Sequence, residues 1–350
     1  MSFGIPVRNG LAIGLLSSTF LSTRRALPPA TFSLNFLAGA PLDPSVTFTR
    51  STTATFVGSN GLIQSSAINT PRFNYDPVTL APQGLIIEGQ RTNLLLNSDI
   101  LGTNLSTQNV TVTAQSYTIS FYGTGTITLS GVAIQTVTGT GVYPSRRTLT
   151  FTPTAGVLIC TVTGTVQFAQ LEAGTFATSF IPTAASAVTR EPDVAVVNTL
   201  TPWFNSSQST LYAEWTNIAP AIPSGVTQMI CQIGEATLTN FYAIFQSQGA
   251  GAKASTNMFS GGVNAGRMDS GGAYSNVTVK AASAFAALDR AISANGTVPT
   301  TSSSGNLPVG VTTLTLGHQI GSTNFFNGYF RVFKYYPLRL TNAQLQALSS

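Results

Sequence analysis

Eleven carboxylates, one histidine and two cysteines are the side chains of this 350-residue chain best suited to acid–base, nucleophilic or metal chemistry, and they are scattered. Hydrolysis of a glycosidic bond needs two carboxyl groups about 5 Å or about 6.5–9.5 Å apart. A Glu-x-Asp-x-x-Glu run would put both on one strand, and none occurs. Glu214 and Glu235 stand alone, and Asp269 and Asp289 sit in Gly- and Ala-rich segments. His318, in LGHQIG beside an apolar strand, reads as a surface or packed residue rather than a general base. There is no GxSxG nucleophile turn. The glycine-rich stretch SGGVNAGRMDSGG (260–272) lacks the strand-then-helix setting of a phosphate loop. Cys160 and Cys231 lie in the apolar runs VLICTV and QMICQI and read as buried free thiols rather than a disulfide. Without a CxxC pair, and with one histidine, the sequence suggests no zinc site. A non-enzyme with no metal or cofactor is expected.

What remains is recognition. Sugars stack their apolar faces on aromatic rings, and amides bond their hydroxyls. In the C-terminal half the available rings are Trp203, Trp215, Tyr242, Tyr274, Phe325 and Phe326. Strand alternation sends Trp215 to a core. Tyr274 in GGAYSN, with Asn324, Phe325 and Phe326 in the loop STNFFNG, are therefore the candidate glycan contacts. Only 8% of residues are charged, against roughly 25% in an ordinary soluble domain. The polar surface must come from Ser, Thr, Asn and Gly, which suits sugars or subunit contacts. The formal charge of +5 arises from thirteen Arg and three Lys against eleven acids. Apart from Arg24–Arg25 and Arg146–Arg147 the arginines are dispersed, so no phosphate-binding stripe exists and nucleic acid is not an expected partner. The same scarcity of acids argues against calcium loops.

Short alternating stretches such as SVTFT, SYTISFYG, GTITLSG, TLYAEWTN, NFYAIFQS and GYFRVFKYYP recur between Gly, Asn and Pro, which predicts an all-β chain of sandwiches or jelly rolls. The closing LTNAQLQALSS predicts a short helix, capped by Thr341 with Gln344 three residues on and with Leu345 and Leu348 on one face. The apolar run 11–21 is too short to span a bilayer and is interrupted by Ser17–Thr19, so no membrane insertion is expected. The punctuation divides the chain into an extended N-terminal docking arm (1–40), a β module (41–98), a small sandwich (99–183), a crossover (184–205) and a larger sandwich (206–350). Glu88 and Arg91 in IIEGQRTN read as an internal salt bridge, or a backbone-bonded pair, that fixes the module against the small sandwich. Glu172 and Arg190 read as similar junction groups, and Arg50 and Arg72 as caps for exposed carbonyls of neighbouring strands or subunits.

Residues 47–98 carry FTR (Phe48–Arg50), SNGLIQ (Ser59–Gln64), PRFNYDPVT (Pro71–Thr79) and GLIIEGQRTNLLLNS (Gly84–Ser98). In these the chain resembles a module of structural and adhesive proteins from tailed bacteriophages and prophages. QFAQLEAGTFATSFIPT with AVTREPD (167–193) resembles the exit of a carbohydrate-binding-like jelly roll in the same proteins. From 206 onward, TLYAEWT and LTLGHQIGSTNFFNGYFRVFKYYPLRLTNAQLQAL resemble a concanavalin A-like (laminin-G-like) jelly roll. The resemblance implies a virion structural protein on the tail or capsid surface, foremost a tail fibre or receptor-binding adhesin that meets host cell-surface glycans. It also implies docking to other virion proteins through the N-terminal arm, and self-association as a homotrimer. A capsid-decorating or head-fibre protein is the alternative, and a secreted bacterial lectin the third.

Overall fold

The computed structural model describes residues 27–99, 101–218, 226–247, 252–274 and 277–350. Most of the expected docking arm, including the apolar run 11–21, lies outside them. Among the described residues the chain is nearly all β, with one short α-helix at the C-terminal end, as the alternation predicts.

The larger sandwich is built on the strand Gln208–Asn217. Its Leu211, Ala213 and Trp215 point into a shared core at zero exposure, while Tyr212 on the other face packs with Leu345 of the helix. Both faces are thus covered, and the strand is buried almost throughout. The helix Asn342–Leu348 that covers it is set by the predicted capping box, Thr341 accepting from the Gln344 amide and the Gln344 side chain returning to the Thr341 amide. This first sheet runs Thr300–Ser302, Asp289–Ala294, Thr278–Ala286, Gln208–Asn217, Gly328–Tyr336, Pro82–Ile87 and Phe73–Tyr75 in spatial order. The facing sheet runs Thr47–Thr49, Val194–Val197, Thr313–Leu316, Gln228–Gly234, Phe241–Ser247, Lys253–Ser260 and Val263–Asn264. Trp215, Phe285, Phe330, Phe333, Ile244 and Leu316 fill the space between them.

The described end of the expected arm and several strands of the expected separate module are therefore parts of this sandwich. Phe32–Asn35 pairs with Val332–Tyr335, Pro82–Ile87 pairs with Gly328–Phe330, and Thr47–Thr49 pairs with Val194–Val196. Local periodicity shows that a segment is a strand but not which distant strand it joins. Gly84 marks one of these joins: it has φ +118, and a side chain there would collide with the Phe330 carbonyl.

The small sandwich is independent in its core. A four-stranded sheet (Gln135–Thr138, Thr126–Gly131, Gly156–Thr163, Gln108–Val112) faces a three-stranded one (Arg147–Phe151, Tyr117–Tyr122, Gln167–Ala173) across Ile119, Phe121, Ile127, Leu129, Leu158 and Cys160. Cys160 and Cys231 are buried free thiols, each pushed up to about 12 by burial.

Candidate functional site

Five charged residues meet where the two sandwiches join, and each stands at the end of a strand. Arg50 follows Thr47–Thr49, Arg72 precedes Phe73–Tyr75, Glu88 follows Pro82–Ile87, Arg190 ends Val188–Arg190 and Asp193 precedes Val194–Val197. All five are at most 1% exposed. Arg50 pairs with Asp193 at 2.9 Å, Arg72 with Glu88 at 2.8 Å and also with Asp193, and Arg190 with Glu88 at 2.7 Å. Further donors go to main-chain carbonyls: Arg50 to Thr52, Ala67 and Thr70, Arg72 to Thr55, and Arg190 to Gly89. The Glu88 amide itself donates to Asp193. Burial alone would raise the Glu88 carboxyl, but Arg190, Arg72 and the Ser179 hydrogen bonds outweigh it and hold Glu88 at about 2. Burial draws Arg50 and Arg190 below the ordinary arginine value. Arg72, also buried, is carried above it because Asp193 and Glu88 prevail.

The second half of the junction is the turn 178–183. Glu172 accepts from the Thr178 amide at 2.9 Å and its hydroxyl at 2.5 Å. Glu88 accepts from the Ser179 amide at 2.7 Å and its hydroxyl at 2.6 Å. Gln170 accepts from the Ile181 amide, Asn93 donates to the Ile181 carbonyl, and the Thr183 hydroxyl donates to Leu95. The segment Thr-Ser-Phe-Ile-Pro-Thr is thus clamped at nearly every residue, with Phe180 pointing at the small sandwich. Glu172 joins the arginine cluster through the Thr178 hydroxyl, from which it accepts and which also meets Arg190.

Of the expected junction groups, Glu88, Glu172 and Arg190 come together and Arg91 does not. The Glu88–Arg91 pair is corrected to Glu88 with Arg72 and Arg190. Arg91 instead lies over the Phe176 ring and donates to the Gln90 carbonyl. Three residues on along a strand entry, its side chain leaves on the opposite face. Arg50 and Arg72 do bond carbonyls, but buried ones of their own chain rather than exposed ones.

The expected glycan contacts are also redistributed. Tyr274 is buried at 6% exposure, its hydroxyl donating 2.9 Å to the Ala294 carbonyl. An aromatic with a polar tip enters a core readily once that tip has a partner, which the flanking glycines concealed. Phe326 is fully buried in the same core. Phe325 is half-buried against Gly89 and the His318 ring, leaving Asn324 exposed with its amide on Gln319. His318 is buried, which lowers its pKa, and its nitrogens meet the Gln319 carbonyl and the Ala195 main chain. Glu214, Asp269 and Asp289 each pair with a separate arginine (Arg331, Arg267 and Arg339). No group of three metal-ligating side chains occurs among the described residues.

A cleft of about 230 Å³ opens above the 178–180 turn. Its walls come from all three parts of the junction: Thr55, Val57 and Gln83 from the N-terminal strands, Tyr122 and Arg146 from the small sandwich, and Tyr329 from the large one. Its aromatic side continues as a chain of rings in which Tyr143 lies on Tyr122 (5.2 Å), Tyr122 meets Phe168 edge-on (5.8 Å) and Phe168 meets Phe180 (5.4 Å). The Tyr143 hydroxyl fastens this side to the Gly61 carbonyl at 2.6 Å. Burial first, with the Glu88 charge, holds the Tyr329 hydroxyl well above the ordinary phenol value, so it is protonated at neutral pH. None of Gln83, Tyr122, Arg146 and Tyr329 was singled out from the sequence as a ligand residue. The only available signal was Arg146–Arg147, one of two adjacent arginine pairs in a chain with few charges.

No family model matches the sequence, and no curated protein matches it. Among solved structures, the carbohydrate-binding module CBM40 of the Ruminococcus gnavus IT-sialidase, bound to α2,3-sialyllactose, is similar over 42% of this chain and 84% of its own (16% identity, TM-score 0.34). The NanB sialidase of Streptococcus pneumoniae is similar over 42% of this chain and 25% of its own (13% identity, TM-score 0.34). A heptameric pentraxin from Limulus polyphemus is similar over 41% and 70% (11% identity, TM-score 0.30).

Proposed function

We propose that this chain is a structural protein of a tailed-phage virion, a tail fibre or receptor-binding adhesin, which acts by binding host-surface glycans rather than by catalysis. The observation that carries the reading is where the motif residues go. Arg50, Arg72 and Glu88 from the phage-like segment, and Glu172, Arg190 and Asp193 from the carbohydrate-binding-like exit, converge in one buried cluster. Those motifs are the joint of a two-sandwich unit, and the joint floors an open cleft. The charged groups are consumed by one another, which supports a rigid presenting role over acid–base work. Weak glycan contacts would gain strength from several copies on one particle, and a homotrimer docked through its N-terminal arm is the assembly we expect.

The test is localisation on purified particles with an antibody against residues 206–350, read by electron microscopy. Label at the tail end, with adsorption competed by free lipopolysaccharide, supports the adhesin. Label spread over the head overturns it in favour of a decoration protein. Absence of label points to a secreted lectin.

A further inference from the structure

We infer that the cleft between the sandwiches is a binding site for a carboxylate-bearing sugar residue, with Arg146 as the group that selects the acid. The inference rests on the glycan-binding reading above and gives it a location and a ligand class.

Four observations converge. First, the cleft is small. Its volume of about 230 Å³ lies just below the roughly 300–1,000 Å³ of pockets that take drug-sized ligands, which matches one sugar ring rather than a long chain. Second, its polar groups are unspent. The Tyr122 and Tyr329 hydroxyls have no hydrogen-bond partner among the described residues. The Gln83 amide accepts from Asn74 through its oxygen and donates its own N–H groups to nothing. Third, these are nearly all donors, so the ligand they fit is rich in acceptors.

Fourth, the cleft wall carries an arginine without a carboxylate partner. Each of the three arginines of the buried network pairs with Glu88 or Asp193, whereas Arg146 has no carboxylate within 4 Å among the described residues. It donates to the Thr178 carbonyl at 2.7 Å and the Ser120 hydroxyl at 2.8 Å, which fix the side chain at the cleft wall. Its Nε is buried without a partner. A guanidinium has five donors in a fixed fork, so capacity remains for an anion. Val57 and Ile63, half-buried in the cleft wall, offer an apolar side for the sugar.

Galacturonic acid and galactose differ at one carbon, so they separate the charge term from the rest. Saturation-transfer difference NMR on the full chain should show galacturonate bound about tenfold tighter than galactose, the size of one charge-assisted hydrogen bond. Arg146→Gln should erase that preference. Tyr329→Phe, which keeps the ring, should weaken both sugars alike, and matched thermal melting curves for the variants show that the fold is retained. Equal binding of both sugars by the unmodified chain overturns the acid selectivity. No binding of either, or binding indifferent to both variants, overturns the site. Glycan-dependent adsorption that survives Arg146→Gln would leave the adhesin standing and this site rejected. Galacturonate binding by a chain absent from particles would do the reverse.

Discussion

Two regions of this molecule are equally dry and are made of opposite materials. The core of the large sandwich is Trp215, Phe285, Phe330, Phe333 and their apolar neighbours. The joint between the sandwiches is Arg50, Arg72, Glu88, Arg190 and Asp193, no more exposed than the rings. An apolar core is stabilised in proportion to the area it removes from water, and it tolerates changes of shape. A buried ion cluster gains little net free energy, because desolvation offsets the attraction, yet losing one member leaves charges with nowhere to go. The core therefore makes the sandwich stable, and the joint makes one arrangement of the two sandwiches permissible. The joint is the region that aims the cleft.

The sharpest break in this comparison is Glu88→Ala. It removes the shared partner of Arg72 and Arg190 and the clamp on Ser179, and an uncompensated buried charge costs about 3–5 kcal/mol. Urea unfolding should show that loss, and an unchanged midpoint would mean that water enters the joint. Acid should act on the same residue. Glu88 is held at about 2 in the folded chain and returns to the ordinary carboxylate range on unfolding. The unfolded state binds more protons between those values, so stability rises with pH across that window. The contribution is complete above about pH 5 and lost as pH falls toward 2, about 3 kcal/mol in all. Glu88→Gln should flatten that part of the pH profile, because no proton is then exchanged at this position.

Conservative edits separate the regions further. Arg72→Lys keeps the charge but cannot reach Thr55, Ser179, Glu88 and Asp193 at once. Stranding those acceptors should cost about 2 kcal/mol. Ile244→Val in the core removes one methyl group and should cost about 1 kcal/mol. Equal losses in calorimetry would erase the distinction drawn here. The smallest effect is at the surface, where Thr341→Ala removes the helix cap for about 1 kcal/mol or less, read as a small fall in Tm.

How much of this was legible depended on the range of the interaction. The strands follow from alternation, and the C-terminal helix from Thr341, Gln344 and Leu345, because those signals lie within a few residues. Glu172 and Arg190 were legible as junction groups, since charge is scarce and both sit beside turns. The partners of Glu88 were not, since Arg72, Ser179 and Arg190 lie 16, 91 and 102 residues away. Arg91, three positions along, offered a closer and mistaken match. Tyr274 misled for a related reason. Its glycine neighbours suggest an open loop, but its acceptor is a carbonyl 20 residues on. The cleft was hidden because its walls belong to three segments, none of which shows a ligand pattern alone.

The strand Gly328–Tyr336 holds Phe32–Asn35 and Pro82–Ile87 end to end along one edge and Gln208–Asn217 along the other. Seen as a schedule of synthesis, this reverses the order of the chain. Phe32 leaves the ribosome about 300 residues before Tyr335, its partner, a wait on the order of tens of seconds. The small sandwich, whose strands all lie between Gln108 and Ala173, can close within that interval. The large one cannot, and its first strands wait as open edges for the last to arrive. Ribosomes arrested before residue 328 should therefore display a protease-resistant small sandwich beside cleavable N-terminal strands. Resistance of those strands at that stage would mean that they find a temporary partner.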